Sequence, residues 1–232
     1  MPVSHKYKII FVHIPKTGGS SIERALGIYG VNNSGNNSLI DEDILFGQGL
    51  QHLTMSQILL RMGHDICDRY FKFAFVRNPW DRILSSYRWR RTWDKNFLKM
   101  SFAEFVKDEL SNNLKNFSHY RPQIEFIVND PSFKSDYVPL VDYVGRFENL
   151  RGDFQQVVER CQLGDIELPN INKSPLLQRA HPIHSIKTII RKGIARIRYP
   201  KNKDYRFEYN SQTCEIISKI YHTDIHAFGY DF

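Results

Sequence analysis

The stretch "FVHIPKTGGSSIERAL", residues 11–26, decides the architecture. An apolar run, Ile9 to Ile14, meets Pro15. A lysine, a threonine, two glycines and two serines follow, and then a helix-like pattern. The short apolar run with β-branched members reads as a buried parallel strand over 7–14, and residues 20–27 read as the helix after it. A strand that ends in a Gly-containing turn and opens a helix suits an anion. The first helical N–H groups have no intrahelical partner and carry the positive end of the dipole. Gly18 and Gly19 let backbone approach a ligand closely. Ser20 and Ser21 can donate hydroxyls, and Lys16 supplies a full charge. The common nucleotide loop, G-x-x-x-x-G-K-[ST], puts its lysine after the glycines. Here the lysine comes first, where it can reach the oxygen bridging a donor and a transferred group. The plainer alternative is a strand-to-helix turn with incidental polar residues.

A second strand-to-helix junction lies in "FAFVRNPWDRILSSY", residues 73–87. A buried strand over 70–76 ends at Arg77. Asn78 is a good N-cap and Pro79 suits the first helical position, so a helix is expected to about Arg91. Arg77 at a strand end can hold a phosphate bidentately. Ser85, two turns along, can donate to the same group. The alternative is that Arg77 pairs with Asp81 and Ser85 only packs.

The rest of the chain continues the alternation. Thr54 caps a helix to about Arg61, and Ser101 with Glu104 forms a capping box for another. Residues 143–147 read as a third strand, 149–161 as its helix, and 211–222 as a last helix. Strand and helix in alternation predict an α/β fold: one P-loop-NTPase-like domain over 1–232, with a central parallel sheet flanked by helices. The 232 residues, 41% of them hydrophobic, exclude a disordered chain. No apolar run approaches the ~20 residues of a membrane span. The N-terminus has no signal-peptide pattern. Cys67, Cys161 and Cys214 have neither zinc nor disulfide spacing, which favours a reducing compartment.

Charge is concentrated in one place. From Arg179 to Arg206 nine Lys/Arg stand against one acid, a local +8, while the whole chain carries +7. Within it, Ile186, Ile189, Ile190, Ile194 and Ile197 share one face at ~100° per residue, opposite Lys187, Arg191, Lys192 and Arg198. This is a basic amphipathic helix. It fits a surface helix packed on the core, an acidic substrate or a peripheral membrane contact.

Lys16-Thr17-Gly18-Gly19-Ser20-Ser21 after a strand, with Arg77 and Ser85 in the second motif, resembles the donor-binding motifs of the sulfotransferases. These enzymes use 3′-phosphoadenosine 5′-phosphosulfate (PAPS) as donor. The first motif is similar to their 5′-phosphosulfate loop and the second to their 3′-phosphate site. "HYRPQ" (119–123), "VGRFENL" (144–150), "NKS" (172–174) and the ending "FGYDF" are similar to the carbohydrate-modifying branch, the uronyl and chondroitin type. The resemblance implies in-line transfer of a sulfuryl group to a carbohydrate hydroxyl, on a polysaccharide, an oligosaccharide or a glycolipid, leaving adenosine 3′,5′-bisphosphate. It implies Lys16 as the group that stabilises the leaving oxygen. Neither metal nor nucleic acid is expected. The basic segment 179–204 reads as an insertion in the family pattern.

An attacking hydroxyl also needs a general base. His52, in "GQGLQHLTMSQI", is similar in position to the catalytic histidine of uronyl-type and related bacterial members; a surface loop histidine is the plainer alternative. His119 is the second candidate, with contact to sugar or bracing of the fold as its other readings. His13 reads as a core histidine. Arg82, Arg88, Arg90 and Arg91 read as a solvated helix face. Trp80, Trp89 and Trp93 read as packing residues before stacking platforms. Lys173 is a weaker candidate near donor or acceptor. The lack of a membrane anchor departs from Golgi-resident relatives, so a cytoplasmic enzyme is expected. Two rivals stand beside this reading. One is a P-loop kinase or NTPase, which lacks its lysine position here. The other is a non-enzymatic polyanion-binding module, which lacks any nucleic-acid fold motif.

Overall fold

The computed structural model describes residues 3–28, 50–92, 94–129, 138–169 and 204–232. Trp93, Lys173, the loop 30–49 and nearly all of the basic segment 179–204 lie outside these residues. The chain groups into two compact units, Met1–Arg77 with Pro122–Asn170, and Asn78–Arg121 with Ile171–Phe232.

The first unit contains a four-stranded sheet, β1 (Val3–Ser4), β2 (Ile9–Val12), β3 (Phe71–Val76) and β4 (Tyr143–Arg146), in that spatial order. β2 to β4 are parallel, with Phe11 opposite Phe73 and Phe75 opposite Gly145. β1 runs antiparallel to β2 through Val3–Ile10 and Ser4–Ile9. The expected all-parallel sheet is therefore corrected to a mixed one. Two residues at a strand edge carry no readable period, so β1 left no mark in the sequence.

Alternation explains the packing. Ile9 and Phe11 of β2 and Phe73 and Phe75 of β3 point to one face of the sheet. There they meet Ile22 and Leu26, from α1 (Gly19–Ala25) and its C-cap. The short helix Met55–Met62, α2, is capped by Thr54 as expected, and Gln57 returns the bond to complete a capping box that was not read from the sequence. The α4 helix, Leu150–Arg160, contributes Phe154, Val157 and Val158 to the same core. Phe11 and Phe73 stack with centroids 5.0 Å apart. Each such ring contributes ~1.5–3 kcal/mol by leaving water. The positions that alternate with them, Ile10, Val12 and Ala74, are also fully buried, which is why both strands read as continuous apolar runs.

The second unit is helical. α3 (Pro79–Arg90) starts where expected, with the Asn78 side chain accepting from the backbone of Trp80 and Asp81. The Ser101 capping box also forms, but the helix it opens passes into a π-helix over Phe105–Leu110. The last expected helix stops at Ile220 (α5, Ser211–Ile220), and a further helix, α6 (His222–Phe228), precedes the Gly229 cap. Among the described residues no helix is long and apolar enough to cross a membrane.

The arginines of α3 and its C-cap correct the solvated-face expectation. Arg82 is fully buried and Arg91 nearly so. Arg82 donates to the carbonyls of His119 (3.1 Å) and Arg121 (2.9 Å) and lies over the Tyr221 ring. Arg91 donates to the carbonyl of Leu98 at 2.9 Å and to that of Met100. Arg90 pairs with Asp94, and Arg88 with Glu208. Loop carbonyls lacking a ladder partner need donors, and a guanidinium supplies five. Trp80 is buried against Phe232 at 5.5 Å, the packing role expected for it.

Truncating Phe73 to alanine opens a cavity in the middle of the first unit. The expected loss is roughly 3–5 kcal/mol, read as a lower urea midpoint at unchanged slope. A loss under about 1 kcal/mol would contradict the placement of this ring.

Candidate functional site

The carboxyl ends of β2, β3 and β4 lie on one edge of the sheet because the three strands are parallel. From β2 the chain passes through His13, Ile14 and Pro15 into the lysine-glycine turn. From β3 it reaches Arg77, and from β4 Phe147. Ligands of such sheets bind at this edge.

The turn is held from inside. The Thr17 hydroxyl donates to the Ile14 carbonyl at 2.9 Å, and Thr17 is fully buried. Its side chain therefore closes the loop from within. Lys16 has φ 72 and Gly18 φ 85, both left-handed. A lysine there costs ~1 kcal/mol or more, which marks a backbone held by its surroundings. Gly18 caps α1 without a side-chain cap, and no acid stands in the first turn. Ser20 is exposed and Ser21 and Lys16 are half-buried. A Cβ at Gly18 would lie 2.8 Å from Leu150, and one at Gly19 would lie 2.2 Å from the His13 ring. The two glycines are thus needed for packing beneath the turn as well as for its shape.

Arg77 joins this turn. Its Nη1 donates to the carbonyl of Lys16 at 3.0 Å, and its guanidinium lies 4.0 Å over the Phe147 ring. Gln123, fully buried, holds the backbone of Arg77 on both sides: Oε1 accepts from its N–H at 2.9 Å and Nε2 donates to its carbonyl at 2.8 Å. The glutamine of "HYRPQ" thus acts on the second motif from the first unit. Phe147 and Gln123 were not singled out from the sequence; only the short motifs around them were.

His52 lies in the short 3-10 turn Leu50–His52. Its Nδ1 donates to the His13 carbonyl at 2.9 Å. A carbonyl can only accept, so Nδ1 carries the proton and Nε2 keeps the lone pair. The His13 ring meets it edge-on at 4.6 Å. His13 is buried, the core residue expected, and its Nδ1 donates to Glu23 Oε1 at 2.7 Å. Burial, foremost, lowers the His52 pKa to about 4; the neighbouring His13 and Lys16 charges add to the effect. Lys16 and His52 therefore feel one another, and His52 is the neutral, proton-accepting form at neutral pH.

Ser85 and His119 belong to the second unit. Ser85 is half-buried on α3. His119 is buried and packs flat against Trp89 (4.3 Å) and Phe117 (4.9 Å), while its carbonyl receives Arg82. Its ring is thus stacked among aromatic side chains of the second unit. Trp89 is accordingly a packing partner of His119.

Two outcomes test this geometry. Gly19→Ala should displace the His13 ring and cost ~1–3 kcal/mol of stability, as overpacking does; an unchanged melting temperature would contradict the contact. For His52, the folded pKa lies below the unfolded value near 6.5. The unfolded chain thus binds the extra proton first, and the stability tied to neutral His52 is complete above 6.5 and lost as pH falls towards 4. A histidine NMR titration should place its midpoint near 4, and a midpoint near 6.5 would contradict its burial.

Comparisons with known proteins agree with this arrangement. The profile described as "Sulfotransferase family" matches residues 1–231. Carbohydrate sulfotransferase 14 of Mus musculus is 27% identical over 180 residues, 68% of this chain and 45% of that protein. Its Danio rerio counterpart is 24% identical over 186 residues, 68% of this chain and 47% of its own. An uncharacterized protein of Archaeoglobus fulgidus is 34% identical over 103 residues, 44% of this chain and 77% of its own. The chain spans a little under half the length of the carbohydrate sulfotransferases it matches. No solved structure gives a significant match. With a family profile covering nearly every residue, the chain belongs to the sulfotransferase family.

Proposed function

We propose that the protein transfers a sulfuryl group from PAPS to a carbohydrate hydroxyl, on a P-loop-like scaffold formed as one sulfotransferase domain. The observation that carries this reading is the hydrogen bond from Arg77 to the Lys16 carbonyl. It supports a single anion site built from both motifs, which a donor with phosphate groups at two positions requires. The residues fit such a donor. Lys16 and Arg77 supply two cations, Ser20 and Ser21 supply hydroxyls at an acid-free turn, and Gly18 and Gly19 leave their backbone N–H groups close to it. When bound, PAPS supplies the sulfuryl group and leaves as adenosine 3′,5′-bisphosphate.

The protein's own residues then divide the work. Lys16 compensates the charge that grows on the departing phosphate oxygen, and its half-burial strengthens that effect. The turn from Lys16 to Ser21 and the Arg77 guanidinium orient the nucleotide, with Ser85 a further candidate donor to it. His52 Nε2 receives the proton of the attacking hydroxyl, a task that needs the neutral imidazole its burial maintains. His119 is left with a bracing role. The similarity to carbohydrate sulfotransferase 14 supports a sugar acceptor. A cytoplasmic setting is part of this proposal.

Radiolabelled PAPS with a panel of acidic polysaccharides and oligosaccharides tests the reading. Wild type should label at least one acceptor, and Lys16→Ala should lose ~10²-fold or more in kcat with its fold intact by circular dichroism. Full turnover in that variant would remove the assignment. ATP hydrolysis with no response to PAPS would replace the reading by the kinase or NTPase alternative.

A further inference from the structure

Glu23 lies within α1, 3% exposed, and nothing in the anion-binding motif calls for an acid there. A buried carboxylate is costly unless both oxygens are satisfied, and here both are. Oε1 accepts the Nδ1–H of His13 at 2.7 Å, and Oε2 accepts the Nε2–H of Gln51 at 2.6 Å.

These two partners are the supports of His52. The His13 carbonyl takes the His52 Nδ1–H at 2.9 Å, and the His13 ring stands edge-on to the His52 ring. Gln51 is the residue just before His52 in the same short turn. One carboxylate therefore ties together the end of β2 and the segment that carries His52. The same His13 ring fills the space beneath Gly19.

We infer that Glu23 is a positioning residue for His52: by binding the His13 ring and the Gln51 amide together, it fixes the imidazole in the tautomer that carries its proton on Nδ1 and none on Nε2. This rests on the reading of His52 as the general base. Its competitor is a carboxylate that only fastens α1 to the sheet, and the two differ in what a substitution disturbs. A fastener would alter stability and the donor turn while leaving the His52 tautomer alone.

Glu23→Gln tests the difference, because an amide offers one acceptor oxygen to two N–H donors. Long-range ¹H–¹⁵N spectra of histidine-labelled protein should show His52 protonated on Nδ1 in wild type and as a tautomer mixture in the variant. kcat should fall ~10–100-fold, the usual scale for a lost supporting bond, while affinity for adenosine 3′,5′-bisphosphate stays within about twofold. Glu23→Asp, which keeps both acceptor oxygens, should recover part of the loss. In a His52→Ala background Glu23→Gln should add little further loss, because the two changes act on one step. An unchanged His52 tautomer in folded Glu23→Gln would overturn the inference, as would an equal kcat loss in the His52→Ala background. Should Glu23→Gln fail to fold, Gln51→Ala removes one of the two supports alone, and an undisturbed His52 in that variant would overturn the inference too. Full turnover in His52→Ala by itself would dismiss His52 as the base and leave the spectroscopic result on its tautomer standing, so the two failures are distinguishable.

Discussion

The hydrogen bond between the Arg77 guanidinium and the Lys16 carbonyl is the constraint on which the site depends. It joins residues 61 positions apart in the chain, at the ends of neighbouring parallel strands. A bond from a charged donor is stronger than one between neutral groups, and this one is braced at both ends. On the arginine side, Gln123 holds the backbone and Phe147 lies under the guanidinium. On the lysine side, Thr17 closes the turn and Leu150 and Phe147 pack against Gly18. The left-handed backbone at Lys16 persists because these neighbours leave the turn no easier shape.

A second layer sits beneath the first. Glu23, His13, Gln51 and His52 form a hydrogen-bonded chain that begins in the buried side of α1 and ends at the Nδ1 of an imidazole. The sheet thus does two separate things with the residues after β2. It presents Lys16 in the turn and uses His13, three residues earlier, as internal scaffolding. Gly19 is the point where the layers meet, since only a residue without a side chain leaves room for the His13 ring.

Much of this was legible in the sequence, and the reasons are local. Asn78-Pro79, Thr54, and Ser101 with Glu104 are cap signals whose chemistry acts within four residues, and all three formed. The long apolar runs of β2 and β3 announced buried parallel strands. What escaped was decided over longer distances. Arg82 and Arg91 look like any charged helix residues until the carbonyls they satisfy are seen. Glu23 falls in the same class, as its two partners come from positions 13 and 51. Gln123 could have been suspected only as part of a short family motif, since a lone glutamine in a loop carries no period. The two-residue strand β1 is too short for any pattern, and Tyr221 gives no proline or glycine to signal the break between α5 and α6.

The central claim is that both motifs serve one sulfated nucleotide, and a crystal structure of the complex with adenosine 3′,5′-bisphosphate tests it most directly. The account predicts a single bound molecule with one phosphate in the turn from Lys16 to Ser21 and another within hydrogen-bond reach of Arg77. A nucleotide bound elsewhere, or bound at the turn with Arg77 touching no part of it, would contradict the account.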